Sequence, residues 1–600
     1  MKRFNGIILI ALLSVLFSCN DMDIPPKNIL TDDDVFNSES GVTAYITRLY
    51  EGLPIEAFTY CRVNGFRDWM HYDGLGHNTG EYMGSDYCYG WEVKSGFGYW
   101  GYDKIHDVDY FLETLPAYES NFTQDQINQW LGEAYFSRAF LYFGLVKRYG
   151  GVPIIDRVQN YPEESIESLK VSRNKEDEVW TFIGQDLDKA IELLPDTKFA
   201  KNSRANKYVA AALKSRAMLY AGTIAKYGTV QLDGLIGIPR EKAVFYLKES
   251  YAASKLVEQG GYSLYRKNSD KIQNYVDLFF DESSSESIFV KEYIYPPRET
   301  FAHSYDCFNS PHQMTGPMGW GSANNPTVEW VELFGELKIT DDDGNPLRFD
   351  NVADFLVDIE PRLRASVLFP GETFRNQQID VQGGIYESYP DGVLHTSGTS
   401  STLFNGRRVM GLSGLGNDNG TFTGFHMRKY MNVDPTPADL TDWQAQQDWI
   451  VFRYAEILLN RAEAACELFA EGETDAEYLQ DALSCINDIR DRAGAKQLIS
   501  SINELTDIDV VRLERRKELG FENHTWWDFI RWRNADKMIN HNHYKTFAPY
   551  YVYDENKYIF LKGQHKMDVE WTFPVKLYYE GIPASEISKN ENLLPNNPQY

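Results

Sequence analysis

Apolar residues recur at three- and four-residue steps through most of the first 260 positions and again after 449, with a looser texture between. The pattern is clearest over 123–154, TQDQINQWLGEAYFSRAFLYFGLVKRYGGVPI. There Trp130, Ala134, Tyr135, Ala139, Tyr142, Phe143 and Val146 fall on one broad helical face. Thr123 is placed to cap this helix, with Gln126 as its capping-box partner. Lys147 and Arg148 suit the negative end of the helix dipole, and Gly150-Gly151 followed by Pro153 ends the helix. The same reasoning predicts helices over 32–53, 102–115, 174–194, 206–226, 241–259, 449–470, 475–493, 507–519 and 526–534.

Three of these helices share a triplet. Ser137-Arg138-Ala139 returns as Ser215-Arg216-Ala217 and as Asn460-Arg461-Ala462, with large apolar residues four positions before each Ala (Tyr135, Leu213, Leu458). Small and large residues at these steps are what paired-helix repeats of the tetratricopeptide type use. The plainer reading is that any Ala-rich core helix gives such matches, and the spacing between copies is irregular.

Two segments lack the helical period. Residues 59–101 interleave nine glycines with Trp69, Tyr72, Tyr82, Tyr87, Tyr89, Trp91, Tyr99 and Trp100, and 262–440 is rich in Gly, Pro, Asn and Ser. Within the second, 287–295 reads as strand and 341–345 as a hairpin turn rather than a calcium loop. Long segments of this kind are usually functional.

The composition narrows the chemistry. A net charge of −28 argues against nucleic acid and other polyanions, which are bound by Lys and Arg clusters. The densest basic run, Arg512 to Lys517, reads as the polar face of a helix. The six cysteines contain no CxxC and have no His at zinc spacing, so most are expected to be reduced core residues. His541-Asn-His543 has no third ligand nearby, and no metal or cofactor is expected. Gly96 to Gly101 matches G-x-G-x-x-G, but Tyr99-Trp100 crowd the turn and no βαβ unit surrounds it. A G-x-S-x-G elbow is absent, and no enzymatic activity is expected.

The aromatic content of 14% points elsewhere. Sugar rings pack their C–H faces on flat π-systems, while their hydroxyls need polar partners. The two aperiodic segments supply both. The first has Trp91 and Trp100 with Arg67, Asp68 and Asn78; the second has Tyr295 and Trp320 with Arg298, Asp306, Asn309 and Asn324. Trp91, Trp100, Tyr295 and Trp320 are therefore expected on one shallow glycan-binding surface, assisted by Asn78 and Arg67. The alternative is that these rings fill the core beneath long loops.

The first twenty residues, MKRFNGIILIALLSVLFSCN, have a charged start, an apolar core too short to span a bilayer, and a small residue before Cys19. Leu16-Phe17-Ser18-Cys19 resembles the bacterial lipobox, in which the Cys is acylated. The acidic residues after it resemble the surface-export signal of Bacteroidetes lipoproteins.

Taken with the lipobox, GEAYFSRAFLYFGLVKRYGGVPI, YAEILLNRAEAACELF, ALSCINDIRDRAG and VRLERRKELGFENHTWWDFIRW resemble the SusD/RagB family of outer-membrane lipoproteins. The tail from Ile582 to Tyr600 is similar too, with Gln599 standing where Gly is common. The resemblance implies a mainly α fold: a tetratricopeptide-like helix-pair scaffold carrying an irregular, loop-rich, minor-β ligand-binding half. It divides the chain into a signal peptide (1–18), a tether (19–31), a helical repeat region (32–260), an irregular ligand-binding segment (261–448) and a C-terminal helical region (449–600). It implies a surface protein anchored in the outer membrane through lipid alone. Such a protein captures an oligo- or polysaccharide for a SusC-like TonB-dependent transporter and does not cleave it. Some members of the family capture peptides instead. A surface glycosidase is the remaining rival.

Overall fold

A computed structural model describes residues 31–58, 74–84, 93, 97–296, 301–415, 419–473, 475–564 and 570–600. Eleven helices form the frame: α1 (Asp32–Phe36), α2 (Glu39–Glu51), α3 (Tyr102–Thr114), α4 (Gln124–Tyr149), α5 (Glu176–Leu193), α6 (Lys207–Tyr227), α7 (Ala243–Glu258), α8 (Tyr454–Ala470), α9 (Ala476–Ala493), α10 (Ile508–Glu518) and α11 (Thr525–Arg531). From α3 to α9 each helix packs on the next, the array expected of helix-pair repeats. Residues 259–453 intervene between α7 and α8, yet these two helices pack directly. The irregular segment is thus an insertion into a continuous helical series. Among the described residues no helix is long and apolar enough to cross a membrane.

The capping predicted for α4 is present. Thr123 Oγ1 accepts from Gln126 N–H (3.3 Å) and Gln126 Oε1 accepts from Thr123 N–H (3.0 Å). Gly150 ends the helix at φ +70°, a conformation that suits glycine. Ala139, Ala217 and Ala462 are fully buried. Close approach between α6 and α7 depends on Gly222, where a Cβ would stand 2.8 Å from Leu247 Cγ.

The arginine of each triplet clamps neighbouring helices. Arg138 of α4 pairs with Asp186 of α5 (2.7 Å) and Asp109 of α3 (2.8 Å). Arg216 of α6 pairs with Glu456 of α8 (2.6 Å), and Arg461 of α8 pairs with Asp481 of α9 and with Glu258 of α7 (2.9 Å). The second and third triplets also meet, since Asn460 Nδ2 donates to Ser215 Oγ (3.3 Å).

A buried ionic hub joins insertion to frame. Arg453 pairs with Glu286 (2.8 Å), Glu518 (2.6 Å) and Glu522 (2.7 Å), all almost completely buried. Arg492 bridges Glu286 and Glu518, and Arg362 reaches Glu514 (2.7 Å) and Glu518 (2.8 Å). Burial opposes the Glu518 charge, but Arg492, Arg453, Arg362 and Lys429 together hold it well below the usual carboxylate range.

Four expectations need correction. The 512–517 run is not a solvated face: Glu514 and Arg515 are fully buried, and Arg515 is bound to Asp528 (2.8 Å). The apolar run at 449 begins as a strand, Trp449–Arg453, paired antiparallel with Ser287–Lys291, and α8 starts only at Tyr454. A short apolar run fits helix and strand equally well, and here the ladder partner decides. The strand read over 287–295 stops at Lys291. The helix read over 32–53 is two helices, because Ser38 caps a second one by accepting from Gly41 N–H (3.1 Å).

The insertion holds only short strands. Its largest sheet runs Lys557–Gln564, Lys545–Val552, Gly384–Tyr386, Leu394–His395, so a hairpin from the C-terminal region completes it. The segment 341–345 is a tight turn, with Asn345 O accepting from Asp341 N–H (2.9 Å).

Candidate functional site

Two strips of irregular chain lie side by side. In the first, Tyr293 N–H donates to Asp448 Oδ1 (3.0 Å) and Tyr295 N–H to Gln446 Oε1 (3.1 Å). Further on, His303 and Ala445 exchange both backbone bonds, and Ser304 Oγ accepts from Trp443 N–H (2.8 Å). The knot beneath them is Asp306. It accepts from Arg375 Nη2 (2.7 Å), Asn432 N–H (2.9 Å) and Gln447 Nε2 (2.6 Å), tying together four stretches distant in sequence. Burial pushes Asp306 up to about 6, although Arg375 and these donors pull the other way.

Above this knot stands an aromatic platform. Trp320 stacks on Phe308 with ring centroids 5.2 Å apart and planes only 2° from parallel. Both rings are half-buried, and Met318 beside them is 39% exposed. Gly319 sits at φ +71° with nothing within 4 Å of a hypothetical Cβ apart from its chain neighbours, so the turn before Trp320 is open to solvent. On the other side Gly321 is crowded: a Cβ would stand 2.5 Å from Ser310 O, which seats the Trp320 loop tightly on the short helix Tyr305–Asn309. The platform therefore has a fixed base and rings that stay partly exposed.

Tyr295 is half-buried and belongs to the same pair of strips as Asp306. Its neighbours Ile294 (55% exposed) and Phe301 (44%) lie together, joined by Ile294 N–H to Phe301 O (2.7 Å). Trp100 lies elsewhere. It packs on Tyr102 (5.0 Å) and Tyr149 (5.3 Å), against the end of α4, and shares no ring partner with Trp320. Trp91, Arg67, Arg298 and Cys19 fall outside the described residues.

The polar residues expected to meet a ligand are mostly internal. Asn78 is 3% exposed, in a one-turn helix Leu75–Asn78, so its amide faces protein rather than solvent. Asp306 is consumed by the knot. Asn309 Nδ2 donates to Tyr305 O (3.0 Å), and its Oδ1 accepts from Asn324 N–H (3.1 Å). The physical reason is common to all: loops this long expose many backbone polar groups, and buried Asn and Asp side chains satisfy them.

Many rings of the insertion are likewise core. Phe58 packs against His303 (4.3 Å), Tyr305 (4.7 Å), Trp449 (4.9 Å) and Tyr430 (5.2 Å), beside a cavity of about 60 Å³. Burial pushes the His303 imidazole down to about 3. Sequence reasoning missed Phe308, Met318, Phe301 and Trp443. Trp443, half-buried at φ +58°, carried a signal in its turn-rich surroundings, whereas Phe308 had none apart from its ring.

Among the described residues no group of three or more His, Cys, Asp or Glu is placed to hold a metal ion. His541 contacts Glu570, and Cys307, Cys466 and Cys485 are buried and free.

Comparison with known proteins agrees with this architecture. The profile described as "SusD family" matches residues 285–600, and one described as "Starch-binding associating with outer membrane" matches 25–219. The chain is 22% identical to SusD-like protein P2 of Formosa agariphila, over the full length of both. Among solved structures, a SusD-like protein of Bacteroides fragilis superposes with a TM-score of 0.65 at 22% identity, covering 95% of this chain and 99% of that one. A SusD-like carbohydrate-binding protein of the same species gives 0.62 at 20% identity, covering 93% and 100%. With a family profile spanning more than half its length and this fold throughout, the chain belongs to the SusD family.

Proposed function

We propose that this protein captures an oligo- or polysaccharide at the outer face of the outer membrane and passes it, uncleaved, to a SusC-like TonB-dependent transporter. The observation that carries the reading is the Trp320 platform: a flat, half-buried ring, backed by Phe308 and partly exposed, of the size and polarity that a pyranose face stacks on. The description of the N-terminal profile, starch-binding and associated with the outer membrane, supports both ligand class and location. So does the carbohydrate-binding relative. Anchoring falls to Cys19. One acyl chain holds weakly, so several chains or the partner barrel must share the task.

A binding panel of glycans and peptides tests the ligand. Saccharide binding that weakens in Trp320→Ala is the expected result, whereas binding of peptides alone would overturn the saccharide assignment. Chromatography of each bound glycan after long incubation tests cleavage, and turnover abolished by changing one carboxylate would make the protein a glycosidase. Cys19→Ala is expected to release the protein from the membrane, and unchanged surface labelling would refute the anchor. Co-purification with a membrane barrel tests the transporter.

A further inference from the structure

The C-terminal segment folds back over the end of α6 and leaves a groove of about 260 Å³, slightly below the roughly 300–1,000 Å³ usual for small-molecule sites. It is lined by Tyr227, Arg533, Lys576, Tyr578, Tyr579 and Gln599, among others, and shares no residue with the Trp320 platform.

Its charge is opposite to that of the molecule. Among the described residues Arg533 and Lys576 make no direct salt bridge to a carboxylate, and the groove lining holds no Asp or Glu. Arg533 spends its donors on neutral groups, Ile530 O (3.2 Å), Tyr578 O (3.3 Å) and the Tyr579 hydroxyl, and its guanidinium lies 4.5 Å from the Tyr579 ring centroid. Lys576 Nζ lies 5.3 Å from the Tyr600 ring centroid. Neighbouring cations behave differently: Lys226 pairs with Glu467 (2.6 Å) and Glu471 (2.9 Å), and Arg512 pairs with Glu467 (3.2 Å). Behind Tyr579, Glu176 accepts from Trp180 Nε1, Gly237 N–H and the Tyr579 hydroxyl; burial raises its pKa, and Arg533, on the far side of that hydroxyl, favours its charge. In a chain of net charge −28, a groove lined by two cations and no carboxylate, with Glu176 behind Tyr579, departs from the rest of the surface.

The backbone points the same way. Arg533 (φ +53°) and Gln599 (φ +71°) both adopt the left-handed conformation that glycine takes without cost. Arg533 follows the end of α11, where helices commonly place glycine. Two long polar side chains are thus kept at strained positions on one groove. The wall they stand on is fixed, because Asn597 Nδ2 donates to Tyr149 O (2.9 Å) and Glu580 O (2.7 Å) while its Oδ1 accepts from Arg173 (2.8 Å).

We propose that this groove binds one acidic sugar residue, a pyranose bearing a carboxylate or a sulfate ester, with the tyrosine rings against its C–H face and Arg533 and Lys576 on its anion. A neutral sugar has no use for the two cations, and a bare inorganic anion has none for the tyrosines or the volume. The overall negative charge repels an anion at long range, but that repulsion is screened beyond about 10 Å at ordinary salt, which leaves the local contacts to decide.

Titration of the full chain with glucuronate, glucose 6-sulfate, glucose and inorganic sulfate, followed by NMR, tests this. At least one acidic sugar is expected to bind about tenfold more tightly than glucose, a step of about one unit in log Kd. Which acid binds identifies the anion. That binding should weaken with added salt, disappear in Lys576→Glu and in Arg533→Gln, and persist in Trp320→Ala. Persistence in Trp320→Ala keeps this result separate from the fate of the platform. Equal binding of glucose and both acids, no binding of either acid, or retention in a folded Lys576→Glu would overturn the proposal. Inorganic sulfate binding as tightly as the acidic sugars would overturn its sugar component.

Discussion

The α6–α8 seam and the Trp320 platform are built with the same device and put it to different use. In both, a buried arginine holds distant segments together: Arg216 to Glu456 in the seam, Arg375 to Asp306 under the platform. Where α8, α10 and α11 meet, several cations share one carboxylate. Burial opposes the charge on Glu463, but Arg531, Arg515 and Arg512 together keep it down at about 2. Under the platform one arginine faces one carboxylate, and burial wins: Asp306 rises to about 6. That part of the frame is thus over-determined in charge, and Trp526, Phe529 and Trp532 there lie inside. The platform rests on one arginine–carboxylate pair and leaves Trp320 partly exposed. A rigid frame permits this, because a site positioned by packed helices can tolerate irregular loops.

The largest effect expected from breaking this contrast lies where the two regions meet. Glu518 touches Arg453, Arg492 and Arg362, so Glu518→Ala takes one carboxylate from each of three buried cations and should cost about 3–5 kcal/mol in denaturant unfolding. A loss under about 1 kcal/mol would mean that the insertion and the frame are joined by packing alone.

Next in size is the seam itself. Ala217 is fully buried in α6, so Ala217→Leu should overpack it and cost roughly 1–3 kcal/mol by the same measurement. No loss would show that the helices are free to separate at that point.

The insertion should also betray itself by pH. An unfolded His303 takes up a proton below 6.5, whereas the folded one resists until about 3. The unfolded state therefore binds more protons across that window, and the contribution of His303 to stability falls as pH falls. Between 6.5 and about 5 the wild type should lose about 2 kcal/mol relative to His303→Gln, at 1.36 kcal/mol per unit. Asp306 and other raised carboxylates act in the opposite direction, so the comparison with the variant, not the raw slope, is the test. Parallel pH profiles would mean that His303 is solvated.

Contacts close in sequence were readable; contacts between distant segments were not. The α4 capping box joins residues three apart, and it was legible for that reason. The triplets were legible as small residues on helices, but the role of their arginines was hidden, because Arg216 finds Glu456 across 240 positions. The same limit explains Arg512 to Lys517. Charge alternation along a helix looks like a solvated face until its partners arrive from elsewhere. At the candidate site, flanking glycines single out Trp320 in the sequence, while nothing local tells that the partners of Asp306 and Asn309 are loop backbone and Arg375.

The smallest effect is the most discriminating, because it separates two tryptophans that the sequence presents alike. Trp320 is half-buried, stacked on a single ring, with open space beside Gly319. Trp100 is also half-buried, but it packs on two tyrosines at the end of α4 and against the main core. A partly exposed ring adds about 0.5–1.5 kcal/mol to a stacked ligand beyond area burial. Since about 1.4 kcal/mol is a factor of ten, Trp320→Ala should weaken glycan binding by up to about tenfold. Its melting temperature should stay near that of the wild type, because removing the ring uncovers little more than one face of Phe308. Trp100→Ala should do the reverse, lowering the melting temperature while sparing affinity, since its neighbours Tyr102 and Tyr149 lose packing on the frame. Calorimetric melting and glycan titration of the two variants side by side check both. If Trp100→Ala is the variant that loses affinity, the glycan lies along α4 and the roles assigned to frame and insertion must be exchanged.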